Sequence, residues 1–428
     1  MNLKALTDQN RWLVLGIIWT IFVVHGVDRS VLLVLLEPIR KDFNLSDSQV
    51  GLLSGLGYAI PFALAGIPLG AVVDRVKKRT YLLAILIGLW SALTAVCGLA
   101  PSFLLLLLAR AGVGATEAGA PPTMLSLIGD TFDAKTRPGA LSIYYTAPFL
   151  GMMAGSILAG SVSGIYGWRA ALFAVGVPGL VLALVVAFVL REPQRGRHDN
   201  PSAVPATAPP FSEALRFAIG DSQVRRLIIA LVLAGFVTLA ISSWTPILLQ
   251  RVYGFSQQKT GVMSALTLGL TGGIGSLLGG FLATRFGKGD SRWLLRFCGF
   301  AILFSTPIAF IAPQISSAPV ALGLLALWAT ISSMYLGPGW GIFLAATPPV
   351  MRGTVMGIAI ILTNLVGAGL GPQVVGLLSD LFNRWHDPEY LQHAIAAVAL
   401  IDLITAGLFL TRFNLKAPVV LSPLAKAH

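Results

Sequence analysis

Five ionisable side chains sit in stretches that are otherwise apolar: Asp28 and Arg29, Arg110 and Glu117, and, far downstream, Asp402. A charge at the centre of a membrane helix costs about 2.5–3.5 kcal/mol, so such residues turn to a bundle interior or a wet cavity and pair with one another. Arg110 and Glu117 are seven residues apart, two turns, and share one helix face. A carboxyl with a guanidinium beside it, in a site whose exposure to water changes, is suited to taking up and releasing protons. His25 stands one turn before Asp28; it reads as a packing or helix–helix hydrogen-bonding residue, with membership of the charge network as the alternative. Asp402 reads as structural.

The same inventory argues against catalysis. Of five histidines only His25 lies in an apolar run, and no nucleophile–base spacing is evident. A membrane-embedded acyltransferase, the enzyme class considered, wants clustered His, Asp or Cys at the membrane surface. Cys97 and Cys298 are far apart and in apolar context, so no disulfide framework is implied. No metal site and no cofactor is expected.

The elements that must position these charges follow from composition. The chain has 428 residues, 55% hydrophobic and 11% charged, with 46 Gly and 25 Pro. Soluble domains carry about 25% charged residues; with so few, much of this surface must face lipid, and the bilayer is the first expected partner. The net charge of +12 does not point to nucleic acid, because the basic residues lie in short loops between apolar spans.

A hydrocarbon core of about 30 Å takes about 20 apolar residues per helix. Twelve spans are predicted, at 12–36, 48–72, 80–99, 102–129, 138–163, 168–190, 227–250, 258–284, 293–312, 318–347, 353–379 and 392–412. Between the sixth and seventh, 191–226 is polar and then rich in Pro and Ala, and reads as a cytoplasmic linker, with a short surface helix over 212–222. The expected organisation is an all-α membrane protein: a six-helix bundle over 1–190, the linker, and a second bundle with a short tail over 227–428. With the N-terminus inside, 22 Lys and Arg fall on the inside, six outside and two within spans. This places both termini in the cytoplasm, in a plasma or inner membrane.

The halves repeat. Gly51-LLSGLGYAIPFALAGIPLG-AVVDR aligns with Gly261-VMSALTLGLTGGIGSLLGG-FLATR at an offset of 210, and Gly151, Gly155 and Gly160 align with Gly367, Gly371 and Gly376 at an offset of 216. Internal duplication of this kind signals a repeat-built transporter whose substrate site lies between the halves near the midplane.

Depth predicts partners. Asp28 and Arg110 each lie about eight residues from the outer ends of antiparallel spans, on the order of 12 Å below the surface at 1.5 Å per residue. They are expected to pair, with Glu117 deeper. Tyr58, Tyr144, Tyr145, Trp340 and Asn364, near span centres, are candidate cavity residues.

The loop Gly70-AVV-Asp74-Arg75-VK-Lys78-Arg79 resembles the G-x-x-x-D-R-x-G-R-R signature of the major facilitator superfamily, with Lys77 in place of the usual second Gly. The resemblance implies two pseudo-symmetric six-helix bundles. It also implies an inner-gate latch made by Gly70, Asp74, Arg75 and Arg79; Thr284 at the repeat position makes any second latch weaker. It favours a monomer and places the last helix, with Asp402, outside the cavity. A finer resemblance rests on His25-GV-Asp28-Arg29 and on Arg110-AGVGAT-Glu117-AGAPPTMLSLIGDTF with Arg137 following. These look like the spinster-type branch, linked to sphingolipid and lysophospholipid export. The organic-anion/proton symporters share the first-span Asp-Arg and fourth-span Glu, but differ at Gly129-Asp130-Thr131-Phe132-Asp133.

The expected function is therefore alternating-access transport, proton-linked, of an amphiphilic or anionic small molecule. Arg29 and Arg110 with His25 would meet the substrate, and Asp28 and Glu117 would carry protons. A symporter of small organic anions such as sugar acids is the alternative.

Overall fold

The computed structural model describes residues 10–133, 136–195, 210–287 and 290–411. Among them, no strand is present and eleven helical stretches are long and apolar enough to cross a membrane. The longest of these, Gly139–Val189, is two helices: Gly167 has φ 83° and ψ 166°, outside helical space and readily adopted only by Gly. Twelve crossings result. They are α1 Arg11–Phe43, α2 Asp47–Val73, α3 Arg79–Leu99, α4 Phe103–Thr131, α5 139–166, α6 168–189, α7 Ser222–Arg251, α8 Gln257–Gly287, α9 Ser291–Gln314, α10 Ala318–Ala346, α11 Arg352–Arg384 and α12 Tyr390–Leu410.

Local sequence sets many of the ends. The side chains of Asn10, Ser102, Asp221, Ser256 and Asp290 accept hydrogen bonds from first-turn amides of α1, α4, α7, α8 and α9. Asn44, with φ 51°, closes α1 in the left-handed conformation that Asn tolerates. The expected surface helix between α6 and α7 is present as Phe211–Gly220.

Several spans are interrupted where the sequence predicts continuous helix. In α4 the helical ladder stops at Glu117 and restarts at Ala120. Pro121 is the cause: it has no N–H to give, and its ring clashes with the carbonyl four residues back, that of Glu117. Pro338 acts alike in α10, where helix ends at Ser333 and restarts at Leu336. In α2 the break is at Gly55, between Ser54 and Leu56. α5 breaks likewise between Tyr144 and Ala147, and α12 at Leu400; two wider π-helical turns lie at 265–270 in α8 and 363–370 in α11.

The chain forms two compact units. Unit 1 comprises 1–45, 52–204 and 254–265; unit 2 comprises 46–51, 205–253 and 266–428. The core of unit 1 gathers Ile18, Ile21, Leu83, Ile87, Trp90, Val113, Leu127, Phe132 and Tyr144. That of unit 2 gathers Leu227, Leu231, Leu294, Cys298, Ile342, Phe343, Val355 and Phe409. Each unit thus takes a short segment from the helix that begins a repeat: 46–51 at the start of α2 and 254–265 at the start of α8.

Within unit 1, a Cβ on Gly160 of α5 would meet Gln257 O of α8 at 2.6 Å; within unit 2, one on Gly376 of α11 would meet Asp47 O of α2. Gln257 follows Asp47 by 210 residues and Gly376 follows Gly160 by 216. The two offsets legible in the sequence are therefore one packing arrangement built twice.

Candidate functional site

The inner side of α1 is set by its outer side. Gly26 and Ser30 face α5, where a Cβ on Gly151 would collide with Val23 O and with Gly26. Ser30 Oγ donates to Val27 O at 3.1 Å and reaches Gly151 O at 3.4 Å. With that face closed by backbone contact, His25, Asp28 and Arg29, at i, i+3 and i+4, turn together toward α2, α3 and α4.

The expected Asp28–Arg110 pair is formed. Arg110 Nη1 donates to Asp28 Oδ2 at 2.9 Å, and both side chains are buried. The second oxygen, Asp28 Oδ1, accepts from Thr94 Oγ1 of α3 at 2.5 Å. Two turns from Arg110, Glu117 is fully buried. Its Oε2 accepts the hydroxyl hydrogen of Tyr58 from α2. His25 Nε2 approaches the same oxygen at 3.2 Å without making a hydrogen bond, and Glu117 Oε1 accepts from no donor.

Tyr58 ties the charges together. The Arg29 and Arg110 guanidinium carbons lie 5.0 and 4.8 Å from its ring centroid, within cation–π range. His25 is edged by Trp90, ring centroids 6.2 Å apart, and by Phe22 at 5.7 Å. Gly114, between Arg110 and Glu117, makes the approach of α2 possible: a Cβ there would stand 2.5 Å from Tyr58 O.

The result is a group of two carboxyls and two guanidiniums, buried except at Arg29 and formally neutral when all four are charged. Placing Glu117 at the Pro121 break leaves its helix locally short of hydrogen bonds beside an already under-bonded carboxyl. An ionised Glu117 in this setting has a phenol but no direct guanidinium bond to offset its charge, whereas Asp28 has both Arg110 and Thr94. Asp28 is fixed by Arg110 and Thr94, while Glu117, which also touches Asp28, has Tyr58 as its hydrogen-bond donor.

The model of the Major Facilitator Superfamily matches residues 18–372, most of the chain. The chain belongs to the Major Facilitator Superfamily. Among curated relatives, an MFS-type efflux pump of Mycolicibacterium smegmatis is 29% identical over 415 residues, covering 95% of this chain and 94% of that protein. Human protein spinster homolog 1 is 27% identical over 435 residues, covering 96% and 82%. A crystal structure of a bacterial homolog of the human lysosomal transporter Spinster, inward-facing and unoccupied, matches with TM-score 0.85 and 28% identity over 94% of this chain and 96% of that one. Within the superfamily this is a multi-pass membrane transporter of the spinster type.

The superfamily loop between α2 and α3 is only partly described. The Asp74 side chain, the proposed centre of the latch, lies outside the described residues. Arg75 is exposed and ends the helix Leu56–Arg75, two residues past the α2 span; a Cβ on Gly70 would meet nothing within 4 Å. Arg79 is instead buried in a cluster that sequence reasoning did not assemble. It contacts Asp130 Oδ2 of α4 at 2.5 Å, Glu192 Oε1 beyond α6 at 2.7 Å, and Ser126 Oγ at 2.7 Å. Glu192 Oε2 also accepts from Thr80 N at 2.9 Å, so this carboxylate holds the start of α3. At the repeat position of Asp74, Thr284 Oγ1 donates to Gly280 O of its own helix.

The other cavity candidates divide. Tyr144 is buried and stacks on Phe22, centroids 4.3 Å apart, which links it to the His25 surround; Tyr145 is largely exposed. In unit 2, Trp340 packs edge-on to Phe343 at 5.8 Å against the core, and Asn364 Nδ2 donates to Ile360 O of its own helix at 3.0 Å. Asp402 is buried and its Oδ1 makes no hydrogen bond. Thr94, Trp90 and Phe22 were missed in the sequence. A threonine in an apolar helix most often bonds its own backbone, so Thr94 carried no signal of reaching across to Asp28.

Proposed function

We propose that the chain is a proton-coupled secondary transporter in which Glu117 is the proton carrier and Asp28, fixed by Arg110, is its electrostatic partner. The observation that carries this reading is the unequal treatment of the two carboxyls: Asp28 has Arg110 and Thr94, while buried Glu117 has one phenol and a neighbouring imidazole. A proton on Glu117 relieves a buried charge, and its release requires water to reach the cluster. Arg29, partly exposed at the edge of the cluster, would meet an anionic group of the substrate.

The resemblance to the spinster-type branch, linked to sphingolipid and lysophospholipid export, is the support for an amphiphilic substrate, whose apolar part would rest on the uncharged spans of the second half. The partly exposed guanidinium of Arg29 also suits small organic anions such as sugar acids, the second reading. In this proposal the two halves, 1–190 and 227–428, alternate access as a monomer, with both termini and the linker in the cytoplasm. Gly70, Asp74, Arg75 and Arg79 act as the inner latch.

The test is transport in proteoliposomes with an imposed proton gradient. Glu117→Gln should abolish the response to the gradient while leaving substrate exchange at equilibrium. Uptake that keeps its full response in this variant rules the carrier role out.

A further inference from the structure

The helix Phe211–Gly220 is amphipathic in a way its protein contacts do not use up. At 100° per residue, Phe217, Ala214, Ala218, Phe211, Leu215 and Ile219 fill one continuous half of its circumference, and Ser212, Arg216 and Glu213 the other. Ala214 and Ala218 are buried and Phe217 packs beside them, where the helix meets α7 and the Arg352–Leu362 part of α11. The rest of the apolar half is a row of three large side chains, Phe211, Leu215 and Ile219, at 56%, 36% and 58% exposure.

The level of this row is fixed by α7. Arg225 and Arg226 are the last charges before the apolar run that begins at Leu227, and so mark the headgroup zone of that span. Arg225 Nη1 donates to Ile219 O, tying the end of the short helix to that zone. Arg226 Nη1 is held by Thr411 Oγ1 at 3.0 Å, which leaves Arg225 and Arg216 as the exposed cations of this site.

We propose that Phe211–Gly220 is an interfacial anchor that lies in the plane of the bilayer. Phe211, Leu215 and Ile219 enter the headgroup–acyl boundary, and Arg216 and Arg225 take anionic lipid headgroups. The exposed apolar row lies beside the headgroup-level start of α7, and the two arginines match the negative potential of an anionic leaflet. The inference is independent of the transport reading. It makes the segment joining the two halves a membrane-moored strap whose seating depends on lipid charge.

Single-cysteine labelling of the full-length protein in vesicles tests it, with the buried Cys97 and Cys298 as an unlabelled background control. An environment-sensitive fluorophore is placed at Leu215→Cys, Ile219→Cys or Ser212→Cys in vesicles of phosphatidylcholine, with or without phosphatidylglycerol. Labels at 215 and 219 should be quenched by headgroup-level nitroxide lipids and protected from iodide; the label at 212 should show the reverse. Phosphatidylglycerol should increase lipid quenching at 215, and Arg216→Gln with Arg225→Gln should remove that increase. Equal iodide quenching at 215 and 212 overturns the anchor. Shielding of 215 from both quenchers also overturns it, in favour of a protein cover such as a second copy. Lipid quenching indifferent to phosphatidylglycerol overturns the anionic-headgroup assignment.

Discussion

Tyr58 on α2 donates its hydroxyl hydrogen to Glu117 on α4, and the same ring receives the guanidiniums of Arg29 and Arg110. One aromatic side chain thus joins the under-bonded carboxyl to both cations without placing either cation on that carboxyl. In the proposed mechanism Glu117 changes its charge while the Asp28–Arg110 pair stays intact.

Tyr58→Phe separates the two jobs. The ring remains for the arginines, but a buried acceptor loses its donor, at a cost of about 1–3 kcal/mol if Glu117 stays ionised. The variant should fold, show a lowered apparent Tm in detergent at neutral pH, and lose most gradient-driven transport. Tyr58→Leu should be less stable still, because the cation–π contacts, about 0.5–2 kcal/mol, go as well.

Asp28 and Arg110 should behave as a unit. Removing either partner leaves the other charge buried, at about 3–5 kcal/mol. Asp28→Asn with Arg110→Gln together should therefore cost about as much stability as either alone. Thermal unfolding of the four proteins of the cycle reads this directly; additive losses would show that the pair is not coupled.

Gly114→Ala and Gly70→Ala should diverge. At Gly114 the new methyl meets Tyr58 backbone at 2.5 Å, so α2 must back away from α4. Overpacking of this kind costs about 1–3 kcal/mol, and transport should fall with it. At Gly70 nothing lies within 4 Å, so stability should be unchanged. A transport defect in Gly70→Ala with normal Tm would place the need for that glycine in another conformation.

Arg79→Gln should destabilise unit 1 by about 3–5 kcal/mol, since Asp130 and Glu192 lose their shared cation inside the protein. Glu192→Gln should cost less, because Glu192 is partly exposed and Arg79 keeps Asp130. Limited proteolysis beyond α6 gives a second readout: cleavage near 192 should accelerate in both variants.

In the loop between α11 and α12, Asp387 is held below the usual carboxylate range by a 2.6 Å hydrogen bond with the His393 ring at the start of α12. A depressed carboxylate pKa contributes stability above the unfolded value, near 4, and the contribution is lost as pH falls through the lower folded value. Asp387→Asn should therefore lower Tm slightly at neutral pH. The difference from the parent protein should shrink in acid.

The ion pair of the candidate site was legible because two facts converge: charges in hydrocarbon must pair, and equal depth in antiparallel spans names Asp28 and Arg110 as partners. The superfamily and its branch were legible in the loop signature and the Asp-Arg and Glu positions. Thr94 and Trp90 were not, since hydroxyls and indoles are ordinary in membrane helices and only rotation about the α3 axis decides what they meet. The break at Glu117 was written in Pro121, yet hydropathy averages over it and returns one continuous span. Arg79 was read as part of a loop motif, but its partners come from the ends of α4 and α6, a conjunction that only tertiary packing creates. The repeat offsets were visible, but not their meaning as paired contacts of Gly160 with Gln257 and of Gly376 with Asp47.

The exchange of segments 46–51 and 254–265 gives α2 and α8 a footing in both compact units. Each helix changes allegiance close to its poorest backbone ladder: α2 beside the kink at Gly55, α8 at the π-turn that starts at Ala265. A helix bends most readily where its hydrogen bonding is already interrupted. The duplication has in this way placed a bendable point at matching positions, Gly55 and Ala265, in the helix that opens each repeat.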